Sequence, residues 1–208
     1  MKPHDFSMPD NNDAQDISDA LLTARLSTYV PQRRQDQNAV IKGRKLRESA
    51  VLVPVLLAGG VPRVLFTRRA GHLSTHAGQV SFPGGRRDPE DSDAIATALR
   101  EAWEEVGLVP TGVRVIGELD HYVTITGYHI TPVVGIVTPQ KWTIDPGEVD
   151  SVFEVPFSHV RTPGVLSLRH AEMDGGTLQY YAMDWDEHHI WGATAGMLRN
   201  LLDVIEDA

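Results

Sequence analysis

Apolar positions along the chain recur with two different periods. Ile17, Leu21, Leu22, Ala24 and Leu26 fall at roughly helical spacing and predict a helix over residues 16–29. Residues 1–15 before it read as disordered, and 31–49 after it as a basic linker. The segment SAVLVPVLLAGGVPRVLFTRR then gives two apolar, β-branched runs joined by Gly-Gly-Val-Pro, the pattern of a hairpin. Pro54 within the first run points to an edge or a bulge. Residues 71–92 are rich in Gly, His and Pro and carry no regular period. Helical spacing returns over 93–106, where Ile95, Ala98, Leu99, Ala102, Trp103 and Val106 predict an apolar face. Ser92 is the expected N-cap and Gly107 the expected left-handed stop. That phase sends Thr97, Glu101, Glu104 and Glu105 to the opposite side. Two further strands are expected within 113–137, a short strand at 151–155, a short helix near 156–161, a hairpin from VLSLRH and LQYYAMDW, and a closing helix over 192–206. Hairpins mixed with a few helices predict an α/β (α+β) fold or an α/β/α sandwich. There is no internal repeat, so the expected organisation is an N-terminal extension, 1–45, and one domain, 46–208.

Composition narrows the function. The 208 residues carry a formal net charge of -9, which argues against bulk nucleic-acid or anionic-membrane binding. The absence of cysteine excludes disulfides, thiolate metal sites and cysteine nucleophiles. The N-terminal residues lack the apolar core of a secretory signal, and the apolar run near 51–61 is too short to span a bilayer. A cytoplasmic protein, monomer or homodimer, is the expectation.

The predicted helix at 93–106 carries an oddity. Glu101, Glu104 and Glu105 crowd its C-terminal end. Like charges at i, i+4 cost about 0.2–0.5 kcal/mol per pair, and a carboxylate at a helix C-terminus opposes the macrodipole. Arg100 relieves part of this by reaching Glu104, but Glu101 and Glu105 still face each other. A hard divalent cation would turn that repulsion into attraction. Upstream, Phe82-Pro83-Gly84-Gly85 lets backbone approach a ligand closely, and Arg86 and Arg87 follow. Arginines beside an acidic metal site suit a substrate bearing several phosphates.

These residues resemble the Nudix hydrolase signature. Its second half is matched throughout by Arg100-Glu101-Ala102-Trp103-Glu104-Glu105-Val106-Gly107-Leu108. The spacing from Gly85 to Arg100 is one residue longer than the family's, and the family's first glutamate falls on Asp91 or Ser92. Leu65, Phe66, Thr67, Arg69, Ala70, Gly78 and Phe82-Pro83-Gly84-Gly85 resemble the narrower coenzyme A pyrophosphatase branch, with Ser74 standing where that branch has an arginine.

The resemblance implies a Nudix-like α/β/α sandwich with a mixed central β-sheet. It implies metal-dependent cleavage of coenzyme A, or a derivative, to 3′,5′-ADP and 4′-phosphopantetheine with Mg2+ or Mn2+. Glu101 and Glu105 become metal ligands, Glu104 a further ligand or organiser, the Gly85 carbonyl a metal contact, and Arg100 an orienting residue. Glu148 is the leading candidate base, with Glu118 and His121 behind it. Arg69, Arg86, Gly84, Gly85, His76 and Gln79 are the candidate substrate contacts, with Arg87 a further basic residue nearby, while Trp191 is expected in the core. The alternatives are hydrolysis of another dinucleotide such as ADP-ribose or NADH, and a non-catalytic Nudix domain used for ligand sensing.

Overall fold

The computed structural model describes residues 17–35, 45–57, 60–173 and 176–206. The disorder expected over 1–15 lies outside the described residues.

The run beginning at Arg47 forms the middle of the main sheet because both of its faces are apolar. In β2 (Arg47–Leu56), Val51, Val53 and Val55 enter one core while Ala50, Leu52 and Leu56 enter another. Around it, β1 (Arg33–Gln35), β3 (Arg63–Arg69), β4 (Val80–Ser81), β7 (His121–Val123) and β8 (Tyr128–Val137) line up in the order β1-β7-β8-β2-β3-β4. Off this path, β5 (Gly84–Arg86) pairs with β2, β6 (Val113–Glu118) with β8 and β9 (Val149–Pro156) with β3. Parallel β2–β8 and β1–β7 pairs beside antiparallel neighbours make the sheet mixed.

The expected hairpin exists but splays. β2 and β3 share only Val55↔Val64 and Leu56↔Arg63, after which β3 runs along β9 and β5 occupies the edge of β2 at Ser49–Val51. Pro54 therefore sits in a central strand, between the stretches where β5 and β3 pair. Leu52 turns its N–H to that edge, bonding the Pro83 carbonyl at 2.8 Å. Pro54, two residues on, faces the same way and falls between the β5 and β3 pairings, so its missing N–H interrupts neither of them.

The α-helix α2 (Ala94–Val106) covers one face of the sheet, with Ala98, Ala102 and Val106 against Ala50, Leu52, Leu65 and Val133. On the other face lie α1 (Asp19–Thr28) and α4 (Gly192–Glu206), with Leu22, Leu26, Leu198 and Leu201 in one core with Val53 and Phe66. This is the expected sandwich. The described part of the N-terminal segment is docked on it: Tyr29 Oη donates to Asp120 at 2.5 Å, as does the Gln32 N–H at 2.8 Å. Arg33–Gln35, read as linker, pair with β7.

Other boundaries moved for local reasons. The first strand expected within 113–137 breaks between Glu118 and His121 into β6 and β7. The strand at 151–155 lengthens into β9, followed by α3 (Phe157–Val160). The last hairpin becomes a three-stranded sheet of β10 (Ser167–Met173), β11 (Gly176–Trp185) and β12 (His188–Trp191). Asp93, not Ser92, caps α2 by accepting from the Ala96 N–H at 2.8 Å, while Gly107 takes the left-handed stop at φ 68°. The phase of α2 is also rotated from the expected one. Trp103 is 56% exposed, whereas Glu105 is 1% exposed and Thr97 fully buried. The alanines present a thin face that lets the helix approach the sheet, and the ridge holding Glu105 turns inward because Gly84 offers it an N–H at 3.1 Å.

Candidate active site

The end of α2 and strand β5 meet at very short range. A Cβ on Gly85 would lie 2.5 Å from Glu101 Oε2, and one on Gly84 would lie 2.5 Å from the Ala50 carbonyl oxygen and Val51 Cα. Only glycines permit this approach. Glu148, entering β9, joins from across the cleft because its carbonyl accepts from the Ala70 N–H at 2.8 Å, next to Arg69. One carboxylate oxygen each from Glu101, Glu105 and Glu148 lie within 4.8 Å of one another.

Burial and crowding shape their electrostatics. Burial pushes the Glu105 carboxyl up to about 8, against the Gly84 N–H and Arg69, which pull it down; Glu101 and Glu148 add to the rise. Arg69 Nη1 stands 3.7 Å from Glu105 Oε1. Burial also raises Glu101, opposed chiefly by Arg100.

Arg100 holds this arrangement together. Its Nε and Nη2 grip the Asp91 oxygens at 3.0 and 2.9 Å, and Nη2 also donates to the Arg86 carbonyl at 3.1 Å. Nη1 lies 3.0 Å from Glu101 and 2.9 Å from Glu104. Asp91 further accepts from Thr97 Oγ1 and the Asp88 N–H, each at 2.9 Å, and Arg100 holds its carboxyl well below the usual range. Asp91 thus occupies the structural place that the resemblance gives to a glutamate. Glu104 is exposed, bonds Arg100, and stands outside the three-carboxylate group.

The carboxylates open into a cleft of about 510 Å³. Arg69, Arg86, Gly84, Gly85, His76 and Gln79 all line it. His76 Nδ1 and Gln79 Oε1 are bonded at 2.9 Å, with His76 at φ 57°. Arg87 instead donates to the Asp91 and Ser92 carbonyls and is not part of the cleft lining. Glu118 and His121 pair with each other at 3.6 Å and are likewise not among the lining residues. Other lining residues went unseen in the sequence, among them Tyr122, Tyr128 and Ile130 from the main sheet, and Leu178, Tyr180 and Trp191 from the small one. Trp191, expected in the core, is 38% exposed and meets Tyr180 edge-on at 5.8 Å. The apolar alternation of Leu178 and Tyr180 on β11 was the available signal.

An all-oxygen donor set of crowded, partly desolvated carboxylates fits a hard divalent cation. Glu101 and Glu105 are the groups that would hold it, with Glu148 close enough to act on a water beside it, and a bound ion would neutralise phosphate charge and lower the pKa of a bound water.

Comparison with known proteins agrees with the geometry. The sequence model of the NUDIX domain matches residues 46–174. Proteins named uncharacterized Nudix hydrolase NudL from Salmonella paratyphi B and Salmonella newport are each 44% identical over 157 residues, 74% of this chain and 81% of theirs. The fold is similar to that of a MutT/nudix family protein from Enterococcus faecalis, with TM-score 0.51 and 14% identity, covering 79% of this chain and 63% of that one. Among the described residues no helix is long and apolar enough to cross a membrane. With its signature helix, its sandwich and these relatives, the chain belongs to the Nudix hydrolase family, and it is a pyrophosphohydrolase.

Proposed function

We propose that the protein cleaves the pyrophosphate of coenzyme A or a derivative, releasing 3′,5′-ADP and 4′-phosphopantetheine, with Mg2+ or Mn2+. The observation that carries this reading is the cleft itself. Three carboxylates gather within 4.8 Å at one part of its wall, and apolar and aromatic side chains make up much of the rest. The first suits a diphosphate with its metal, and the second an extended, weakly polar arm. The sequence from Leu65 to Gly85 supports the same branch.

In this reading Glu101 and Glu105 are metal ligands, and the Gly85 carbonyl adds a further contact. Glu148, the exposed member of the group, accepts the proton of the attacking water. Arg100, anchored on Asp91, positions Glu101. Arg69 and Arg86 take the phosphate oxygens that the metal would leave free, and His76 and Gln79 shape the loop beside them. Glu104 serves through Arg100.

The deciding experiment is turnover of a panel of coenzyme A, its disulfide and acyl forms, ADP-ribose and NADH with either metal, with products identified by mass spectrometry. Coenzyme A is expected to be preferred. Equal or faster cleavage of ADP-ribose would reject the coenzyme reading while leaving the hydrolase intact.

A further inference from the structure

Away from the cleft, four side chains form a row across the main sheet: Glu48 on β2, His129 on β8, His121 on β7 and Glu118 on β6. Glu48, His129 and His121 each adjoin a cleft-lining residue, Ser49, Ile130 and Tyr122. Strand alternation therefore turns them to the opposite face. Glu48 Oε2 lies 2.7 Å from His129 Nδ1, His129 Nε2 lies 3.3 Å from His121 Nδ1, and His121 Nε2 lies 3.6 Å from Glu118 Oε2. The rings are tilted by 59°, so they meet through their nitrogens rather than by stacking. The His129 and His121 side chains remain 16% and 31% exposed, within reach of solutes.

Proton counting defines what this row can accept. An ionised carboxylate only accepts, so His129 keeps its proton on Nδ1 for Glu48 and presents a lone pair at Nε2. Neutral His121 has one proton to place. On Nδ1 it serves His129 but turns a lone pair toward Glu118. On Nε2 it serves Glu118 but sets two lone pairs 3.3 Å apart. The Glu118 contact, at 3.6 Å, is an ion-pair distance and not a hydrogen bond, and a cation between the rings would meet a lone pair from each.

We propose that the gap between His121 Nδ1 and His129 Nε2 binds a divalent transition cation of the zinc class, with water completing its coordination. Zinc–nitrogen bonds of about 2.0–2.1 Å at tetrahedral angles separate two ligand nitrogens by about 3.3 Å, which matches the spacing here. Glu48 and Glu118 stand at the far nitrogens, where carboxylates fix the tautomer and orientation of metal-binding imidazoles. Imidazole donors favour ions different from those held by the all-carboxylate group in the cleft, so the two sites separate chemically.

The test is calorimetric titration of the full chain with Zn2+ in saturating Mg2+, which occupies carboxylates but competes poorly for imidazole. Binding is expected in the wild type and in Glu105→Gln. It should be lost in the His121→Asn/His129→Asn double variant and weakened about 10- to 100-fold in Glu48→Gln. Circular dichroism of each variant confirms that the fold persists. Co2+ bound in place of Zn2+ should show visible absorption bands that vanish in the double variant. Zinc uptake unchanged in that variant would overturn the proposal. So would a wild type that takes up no zinc while NMR shows only a proton shared by the two rings.

Discussion

The two walls of the cleft are built in opposite ways. The acidic wall comes mainly from one continuous stretch, Gly84 to Glu105, folded back so that β5 touches the end of α2. The aromatic wall is assembled from distant places: Tyr122 and Tyr128 flanking a turn of the main sheet, and Leu178, Tyr180 and Trp191 from the small sheet before α4. The first is electrostatically costly and locally encoded. The second is electrically neutral and exists only once the two sheets are in place. The family motif is thus held in one short stretch, while the rest of the cleft depends on parts of the chain distant from it.

The largest expected effect lies at the acidic wall. Glu105→Gln keeps the shape and removes the charge. If catalysis depends on that charge, hydrolysis measured with Mg2+ should fall about 10³-fold, the scale of several kcal/mol of lost charge stabilisation. The same change should raise the melting temperature without metal near neutral pH, since glutamine removes the cost of keeping a buried carboxyl protonated that the unfolded chain would ionise. Activity within tenfold of wild type would remove the acidic wall as the reaction centre.

Next in size is the clamp behind that wall. Asp91→Asn leaves the Arg100 guanidinium with a neutral partner in a largely buried place. The loss should be about 3 kcal/mol, read from the urea midpoint. Activity should drop with it, because Glu101 is oriented through Arg100. An unchanged midpoint would mean that the motif does not rely on this pair.

The pH dependence of stability separates the walls more gently. Glu105 has an ordinary value of 4.5 and reaches about 8 in the fold. Below the ordinary value both folded and unfolded chains hold the proton. Between the two values the folded chain alone keeps it, so stability falls as pH rises and the loss is complete above about 8. The melting temperature of the metal-free protein should therefore decline from about pH 5 to about pH 8, and Mg2+ should flatten the slope. Glu105→Gln should flatten it without metal. A Trp191→Ala change should shift the curve without altering its slope.

How each wall reads in sequence follows from the same contrast. Three glutamates in a turn and a half of helix disobey local rules, and the disobedience is visible without a structure. Even there the helical phase misled. Trp103 looked like core because tryptophan is large and apolar, yet it is 56% exposed, and buried Glu105 looked solvent-facing. Side-chain type outweighed position because the backbone N–H of Gly84, which receives Glu105, is not written in the helix. The sandwich and the closing helix were legible from periodicity. The splayed β2–β3 pair was not, since both strands read the same whether they pair along their length or over two residues. Trp191 reads as core for the same reason as Trp103: the sequence carries its hydrophobicity and not its exposure.

The aromatic wall gives the smallest effect and the most informative one about substrate. Trp191 lines the cleft with 38% of its surface exposed, braced edge-on by Tyr180. An aromatic contact is worth about 0.5–1.5 kcal/mol beyond the area it buries, so Trp191→Ala should raise KM about 2- to 10-fold. It should leave kcat nearly unchanged, because the ring acts on ground and transition states alike. Trp191→Phe should restore most of the affinity. The comparison to make is between coenzyme A and ADP-ribose in the same variant. If the wall serves the pantetheine arm, KM for coenzyme A rises and KM for ADP-ribose does not. If it serves the adenine ring that both molecules carry, the two rise together, and the preference between them must then come from the polar loop holding His76 and Gln79. A fall in kcat with KM unmoved would put Trp191 in the support of the carboxylates instead, and the division into two walls would fail.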